Sequence, residues 1–208
     1  ASSTCELLLS FDMYNIGLTY DAHPKDAMDI YKNIIAENAA KDGSATVLRG
    51  TGWDPGYFMQ DPKTMPTAAD IDEVCSDTPV ILRSYDHHYV WVNSRVLRDS
   101  GITKDTPTPR NGVIWRDDNG EPTGIFQENT AIDLILSSVP YGDYTVEEYE
   151  AGIMHYQKNF GAAYGTTLIM DAMATENAIT AYRNLAGRDE LNMRVTAVYV
   201  TDPTKPLS

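Results

Sequence analysis

Apolar and polar residues alternate along this chain in three successive styles. From Pro24 to Ala40, the apolar positions Ala27, Ile30, Tyr31, Ile34 and Ile35 recur at spacings of three and four. That rhythm predicts an amphipathic helix, with Pro24 in its first turn and Gly43 just past its end. ATVLRGTG then reads as a short strand ending in glycines, and GWDPGYF, Gly52 to Phe58, as an ordered loop rich in turn formers.

The middle third is β-rich. Thr67 followed by Asp70 predicts a short helix through Val74, on the pattern of a capping box. PVILRSYD reads as a buried strand and YVWVNS as a second extended piece, and Asn93 is placed to cap a helix of about two turns that Gly101 ends. GVIWRD and GIFQ flank DDNGEPT, whose Asn119-Gly120 pair suits a hairpin turn.

From Thr145 the pattern becomes helix, strand, helix, strand. Thr145 and Glu148 form a TxxE capping box, and Val146, Tyr149, Ile153, Tyr156 and Phe160 make a stripe that predicts one buried helix face. TTLIMDA is an apolar strand ending near Asp171. Thr175 then starts a helix carrying Ile179, Tyr182 and Leu185, which Gly187 can end, and MRVTAVYV is typical of a sheet covered on both faces. The order is that of βα units. A closed (β/α)8 barrel needs about 250 residues and eight such units, and two or three are legible here.

Composition narrows the partners. The 208 residues are 42% hydrophobic, enough to bury one substantial core or two smaller ones. Sixteen basic residues against 30 acidic give a formal charge of −14, with no Lys/Arg run to neutralise phosphates, so neither nucleic acid nor an anionic membrane is an expected partner. No apolar run approaches the length of a membrane helix, and ASSTCELLLSF lacks the basic flank of a signal peptide. Cys5 and Cys75 form no CxxC pair, which argues against a disulfide framework and for a reducing cytoplasm.

Chemistry-bearing residues are sparse. HxH, HExxH, GxSxG and a glycine-rich phosphate loop are all missing from the sequence. His87 and His88 are adjacent, so an extended chain would point them to opposite faces, each open to a structural role or a site role. Arg83 and Asp86 end a strand, where α/β proteins place functional groups, although a salt bridge would look the same. Glu128 reads either as a buried carboxylate or as the acidic start of a helix near Asn129. Trp53 and Asp54 suit a ligand pocket or a packed corner, Asp171 is a candidate by position alone, and His155 lies off its helix's stripe.

The succession GTGWD, PTAADIDEV, PVILRSYDHHYVWVNSRVL and GVIWRDDNGEPTGIFQENTAIDLI, then a helix and GTTLIMDA, resembles the YtcJ-like branch of the metal-dependent amidohydrolase superfamily (amidohydrolase family 3) over nearly the whole chain. The tandem of DxH with VNS, and of RDxxGEPTG with a following glutamate, carries the resemblance. It implies an α/β fold: a partial (β/α) barrel segment with an inserted β-rich (α+β) subdomain. Residues 1–50 would follow a missing first barrel strand, 51–144 would be the insert with its hairpin, and 145–208 two βα units.

The resemblance further implies a parent that hydrolyses C–N, amide-type non-peptide bonds of a small-molecule substrate with a metal-activated water. A divalent metal, with zinc expected, would serve the full-length parent. This chain starts after the HxH position and stops before the later ligands, so it is expected to be an internal segment that holds no metal and is inactive alone. His88, Arg83 and Asp86 match the family's R-x-DGH and are expected at the substrate together with Trp53. Glu128 is the candidate metal ligand or substrate-orienting carboxylate. His87 stands where the family has glycine, which questions the local backbone if that glycine needs a positive φ. A small ligand-binding or oligomerisation domain without catalysis is the alternative reading, and the many tyrosines make a homo-oligomer conceivable.

Overall fold

A computed structural model describes residues 5, 8–41, 45–59, 64–136, 139 and 144–199. Gly43 and Val200, the expected ends of a helix and a strand, lie outside the described residues. The chain divides into two compact units, one of residues 10–142 and one of residues 1–9 with 143–208.

The first unit holds a six-stranded mixed sheet in the order β1-β2-β3-β4-β6-β5. Strands β1 (Phe11–Asp12), β2 (Leu48–Trp53) and β3 (Val80–Ser84) run parallel, while β4 (Tyr89–Val92), β5 (Val113–Arg116) and β6 (Pro122–Gln127) extend the sheet antiparallel. Alternation along the strands sends their side chains to two cores. Val80, Leu82, Tyr89, Trp91 and Ile125 pack with Tyr31 and Ile35 of helix α1 (Pro24–Lys41) and Ile71 of α2 (Ala68–Asp72). Ile81, Val90, Val92, Ile114 and Phe126 pack with Val96 of α3 (Ser94–Asp99) and Ala131, Ile132 and Ile135 of α4 (Asn129–Leu136). The sheet is therefore covered on both faces.

Two motifs of the resemblance are structural devices here. Asn93 is wholly buried, its Oδ1 accepting from the N–H groups of Val80 and Val96 and its Nδ2 donating to the carbonyls of Cys75 and Thr78. It thus caps α3 and ties that helix to the start of β3. In RDxxGEPTG, Arg116 donates to the carbonyls of Thr103, Thr106 and Gly120, and Asp117 Oδ1 accepts from Asn119 and Glu121, which shapes the β5–β6 turn. Gly124 has φ +101°, and a Cβ there would stand 2.7 Å from Val92 O, so the hairpin requires glycine at this point.

The second unit pairs β7 (Leu168–Ala174) and β8 (Arg194–Tyr199) in parallel, with α5 (Val146–Tyr156) and α6 (Glu176–Gly187). Thr145 and Glu148 form the expected capping box, and Thr175 caps α6. Two expectations are corrected. The stripe of α5 does not continue to Phe160: residues Gln157–Gly161 form a π turn, whose extra residue rotates Phe160 into solvent and Gln157 inward. Buried Gln157 then donates to Glu190 O and accepts from Asn192 N–H, fixing the approach to β8. Nor are β7 and β8 covered on both faces among the described residues. Ile169 and Val195 pack on the helices, whereas Leu168, Met170 and Val198 are exposed. No helix among the described residues is long and apolar enough to cross a membrane.

Candidate functional site

Between β3 and β4 only Tyr85 to His88 are available to reverse the chain. The turn closes when His87 N–H donates to Ser84 O at 3.1 Å. Ser84, wholly buried, donates its hydroxyl to Asp86 Oδ1 at 2.6 Å and accepts from Tyr89 N–H at 2.9 Å. Asp86 Oδ1 also accepts from His88 N–H at 3.0 Å. This oxygen of Asp86 is committed to the turn, and Ser84 is its buried anchor, a role that nothing in its sequence neighbourhood had flagged. His87 adopts φ +64°, in the left-handed region. This is a conformation that glycine adopts freely, held here by a residue type that enters the region more readily than most.

Glu128 follows β6 with φ +66°. Its N–H donates to His88 O at 2.9 Å, and its carbonyl accepts from Ala131 and Ile132 at the head of α4. Across this corner His88 Nδ1 lies 3.2 Å from Glu128 Oε2, with side-chain exposures of 60% and 43%. Two residues 40 positions apart thus meet, each beside or within a left-handed corner of the backbone. Such corners cost about 1–3 kcal/mol and persist where the surroundings over-determine them.

Arg83 belongs to the same region. It is half-buried on β3, in register with Thr51 and with Val90, which itself pairs with Phe126. Alternation puts Arg83 on the face carrying Ile81, Val90 and Phe126, and His88, two residues before Val90, follows on that face. Arg83, Asp86, His88 and Glu128 are thus brought to one end of the sheet.

Trp53 is not at that surface. It is wholly buried, its indole N–H donates to Leu82 O at 3.0 Å, and it packs edge-on against Tyr89 and Trp91. The packed-corner alternative describes its surroundings. Its neighbour Asp54 caps the 3₁₀ turn Pro55–Tyr57 by accepting from Gly56 N–H, and accepts from the Tyr20 hydroxyl at 2.7 Å. That hydrogen bond, reinforced by the carboxylate's charge, pushes the Tyr20 hydroxyl up to about 12. Burial raises Tyr89, and the nearby carboxylates of Asp86 and Glu128 push it further the same way. In the other unit Asp171 accepts from the buried Tyr182 hydroxyl at 3.2 Å, so its carboxylate is engaged on the helix side of β7.

Whether these residues suit a metal is decided by their number. No group of three or more His, Cys, Asp or Glu side chains converges among the described residues. His88 and Glu128 supply two donors that are turned toward each other. The described residues do not fit a metal centre.

Comparison with known proteins adds the wider setting. A model of the amidohydrolase family matches residues 12–207. The chain is 43% identical over 93 residues to YtcJ of Bacillus subtilis (strain 168), provisionally named an amidohydrolase, covering 45% of this chain and 17% of that protein. It is 34% identical over 162 residues to the N-substituted formamide deformylase of Arthrobacter pascens, covering 77% of this chain and 29% of the other. Among solved structures, an uncharacterized metal-dependent hydrolase from Pyrococcus horikoshii OT3 superimposes with a TM-score of 0.56 at 19% identity, covering 94% of this chain and 34% of that one. That likeness speaks for the fold alone. The matched segments cover only 17% and 29% of the length of these two curated relatives.

Proposed function

Because the chain belongs to the amidohydrolase family, we propose that it is a segment of a metal-dependent hydrolase whose small-molecule substrate meets the corner where β3, β4 and β6 converge. The reaction class proposed is hydrolysis of a C–N bond of the amide type, outside peptides. One observation carries the placement: His88 and Glu128, from separate motifs of the chain, touch at 3.2 Å on an open corner, with Arg83 on the same sheet face. Arg83 offers a cation for a substrate oxygen, His88 a ring nitrogen, and Asp86 holds the turn that presents them. Trp53 supports this end of the sheet from the core.

The division into an insert and barrel units, with residues 145–208 read as two βα units, belongs to the same proposal. So does a divalent metal, zinc by expectation, in the longer parent. The described residues do not assemble its site, so the segment alone is proposed to be inactive. Only two cysteines, Cys5 and Cys75, far apart in sequence and without a CxxC pair, support a reducing cytoplasmic setting.

The test is turnover of a panel of N-acyl and N-formyl compounds by the full-length parent, with and without added zinc, in wild type, His88→Ala and Glu128→Ala. Loss of at least about a hundredfold in kcat/KM for His88→Ala, the size of a lost acid–base or positioning contact, with metal content intact, is the expected result. Unchanged turnover in both variants would return this corner to a structural role.

A further inference from the structure

We propose that Glu128 is a positioning residue that fixes the tautomer of His88, placing the proton on Nδ1 and presenting the Nε2 lone pair to a ligand N–H or O–H. Two of the chain's other histidines, His23 and His155, supply the contrast. His23 Nδ1 receives the backbone N–H of Lys25 at 3.1 Å. A backbone N–H can only donate, so the proton of neutral His23 sits on Nε2. His155 Nδ1 lies 3.2 Å from Asn159 Nδ2, whose amide is oriented by its donation to His155 O at 2.9 Å. That ring too accepts at Nδ1 and carries its proton on Nε2.

At His88 the partner is of the opposite kind. Glu128 Oε2 is 3.2 Å from Nδ1, and an ionised carboxylate only accepts, so Nδ1 must carry the proton. An exposed pair of this kind is weak when its members must first be brought together. Here the backbone has already done so. Glu128 N–H donates to His88 O, His88 N–H donates to Asp86 Oδ1, and the adjoining Tyr89 and Gln127 are register partners in the β4–β6 ladder.

This arrangement selects ligands with a donor group at His88. When such a group gives up its proton, the proton goes to Nε2 and the electron pair of the broken N–H or O–H bond stays on the ligand. The ring becomes an imidazolium whose Nδ1–H still rests on the Glu128 carboxylate, and no other bond in the protein changes. The base role rests on the reading of this corner as substrate-facing. The tautomer does not, and the experiment separates them.

The chain is labelled with ¹⁵N-histidine, and two-bond ¹H–¹⁵N correlations are recorded at a pH where the imidazoles are neutral, with His88 assigned by the loss of its signals in His88→Asn. The expected pattern is a protonated Nδ1 for His88 and a protonated Nε2 for His23 and His155. Glu128→Gln replaces an obligate acceptor with an amide able to donate, and is expected to reverse His88 to the Nε2–H form while leaving His23 and His155 unchanged. A wild-type His88 carrying its proton mainly on Nε2, or a pattern indifferent to Glu128→Gln, overturns the proposal. If the glutamine variant does not fold, the wild-type spectrum decides, with His23 and His155 as internal references. A confirmed tautomer with unaltered kcat/KM in the parent's His88→Asn would leave the positioning role standing and remove the base.

Discussion

Leu82 in β3 and Met170 in β7 hold comparable places, each in the middle of a short apolar strand paired in parallel with a neighbour, yet Leu82 is wholly buried and Met170 is 69% exposed. The difference lies in what surrounds the strands. In the unit of residues 10–142 every strand lies within a six-stranded sheet with helices on both faces. In the other unit two strands have α5 and α6 on one face, while Leu168, Met170 and Val198 of the opposite face meet solvent. An apolar strand therefore records the environment it is suited to, whether or not the described residues provide it. The contrast is the one expected of β7 and β8 under the proposal that residues 145–208 are two βα units.

The strongest way to break the comparison is to damage the covered sheet. Trp53→Ala removes a fully buried indole and leaves a cavity beside Tyr89 and Trp91, with an expected loss of about 3–5 kcal/mol. All three tryptophans, Trp53, Trp91 and Trp115, lie in this unit, so selectively excited tryptophan fluorescence during urea unfolding reads this unit. A loss below about 1 kcal/mol would mean that this core is loosely packed and that the contrast between the units is overstated.

What the sequence made legible follows the same division between local and distant causes. Caps were readable because their partners lie within a turn: Thr145 with Glu148, Asn93 with Val96, and Thr175 with Ala178 all form as the spacing implies. The contact of His88 with Glu128 was not, because it depends on β4 pairing with β6 in one register across 40 residues. Trp53 beside Asp54 reads alike for a pocket or a packed corner, since only tertiary packing distinguishes them. Phe160 left its stripe through a π turn, and periodicity assumes an unbroken helix. The family pattern only raised the question of the backbone at His87, and the structure answers it with a left-handed histidine.

His87 offers the next test, inside the covered unit but at its surface turn. A left-handed conformation costs an ordinary residue about 1–2 kcal/mol. Glycine would remove that cost but lose about 0.4–1 kcal/mol through the greater freedom of the unfolded chain. His87→Gly is expected to stabilise the unit by up to about 1 kcal/mol, read as a higher urea midpoint by fluorescence. A lower midpoint would show that the His87 side chain contributes more to the turn than its backbone costs.

The smallest expected effect is the most informative about the open sheet. Leu168 and Met170 lie two residues apart on one face of β7, in regular register with Arg194 and Thr196 of β8, and both are mostly exposed. Threonine keeps a strand-favouring branched side chain, so in a monomeric segment Leu168→Thr with Met170→Thr should change stability by no more than about 0.5 kcal/mol. Hydrogen exchange over residues 168–174 is the suitable readout, because tryptophan fluorescence does not sense this unit. Burying a large apolar side chain contributes about 1.5–3 kcal/mol. If the double variant loses that much at high protein concentration but not on dilution, with light scattering showing the matching change in mass, a second copy covers the face in solution. The association reading would then apply to this unit, and β7 and β8 would find in a partner the cover that the six-stranded sheet already has.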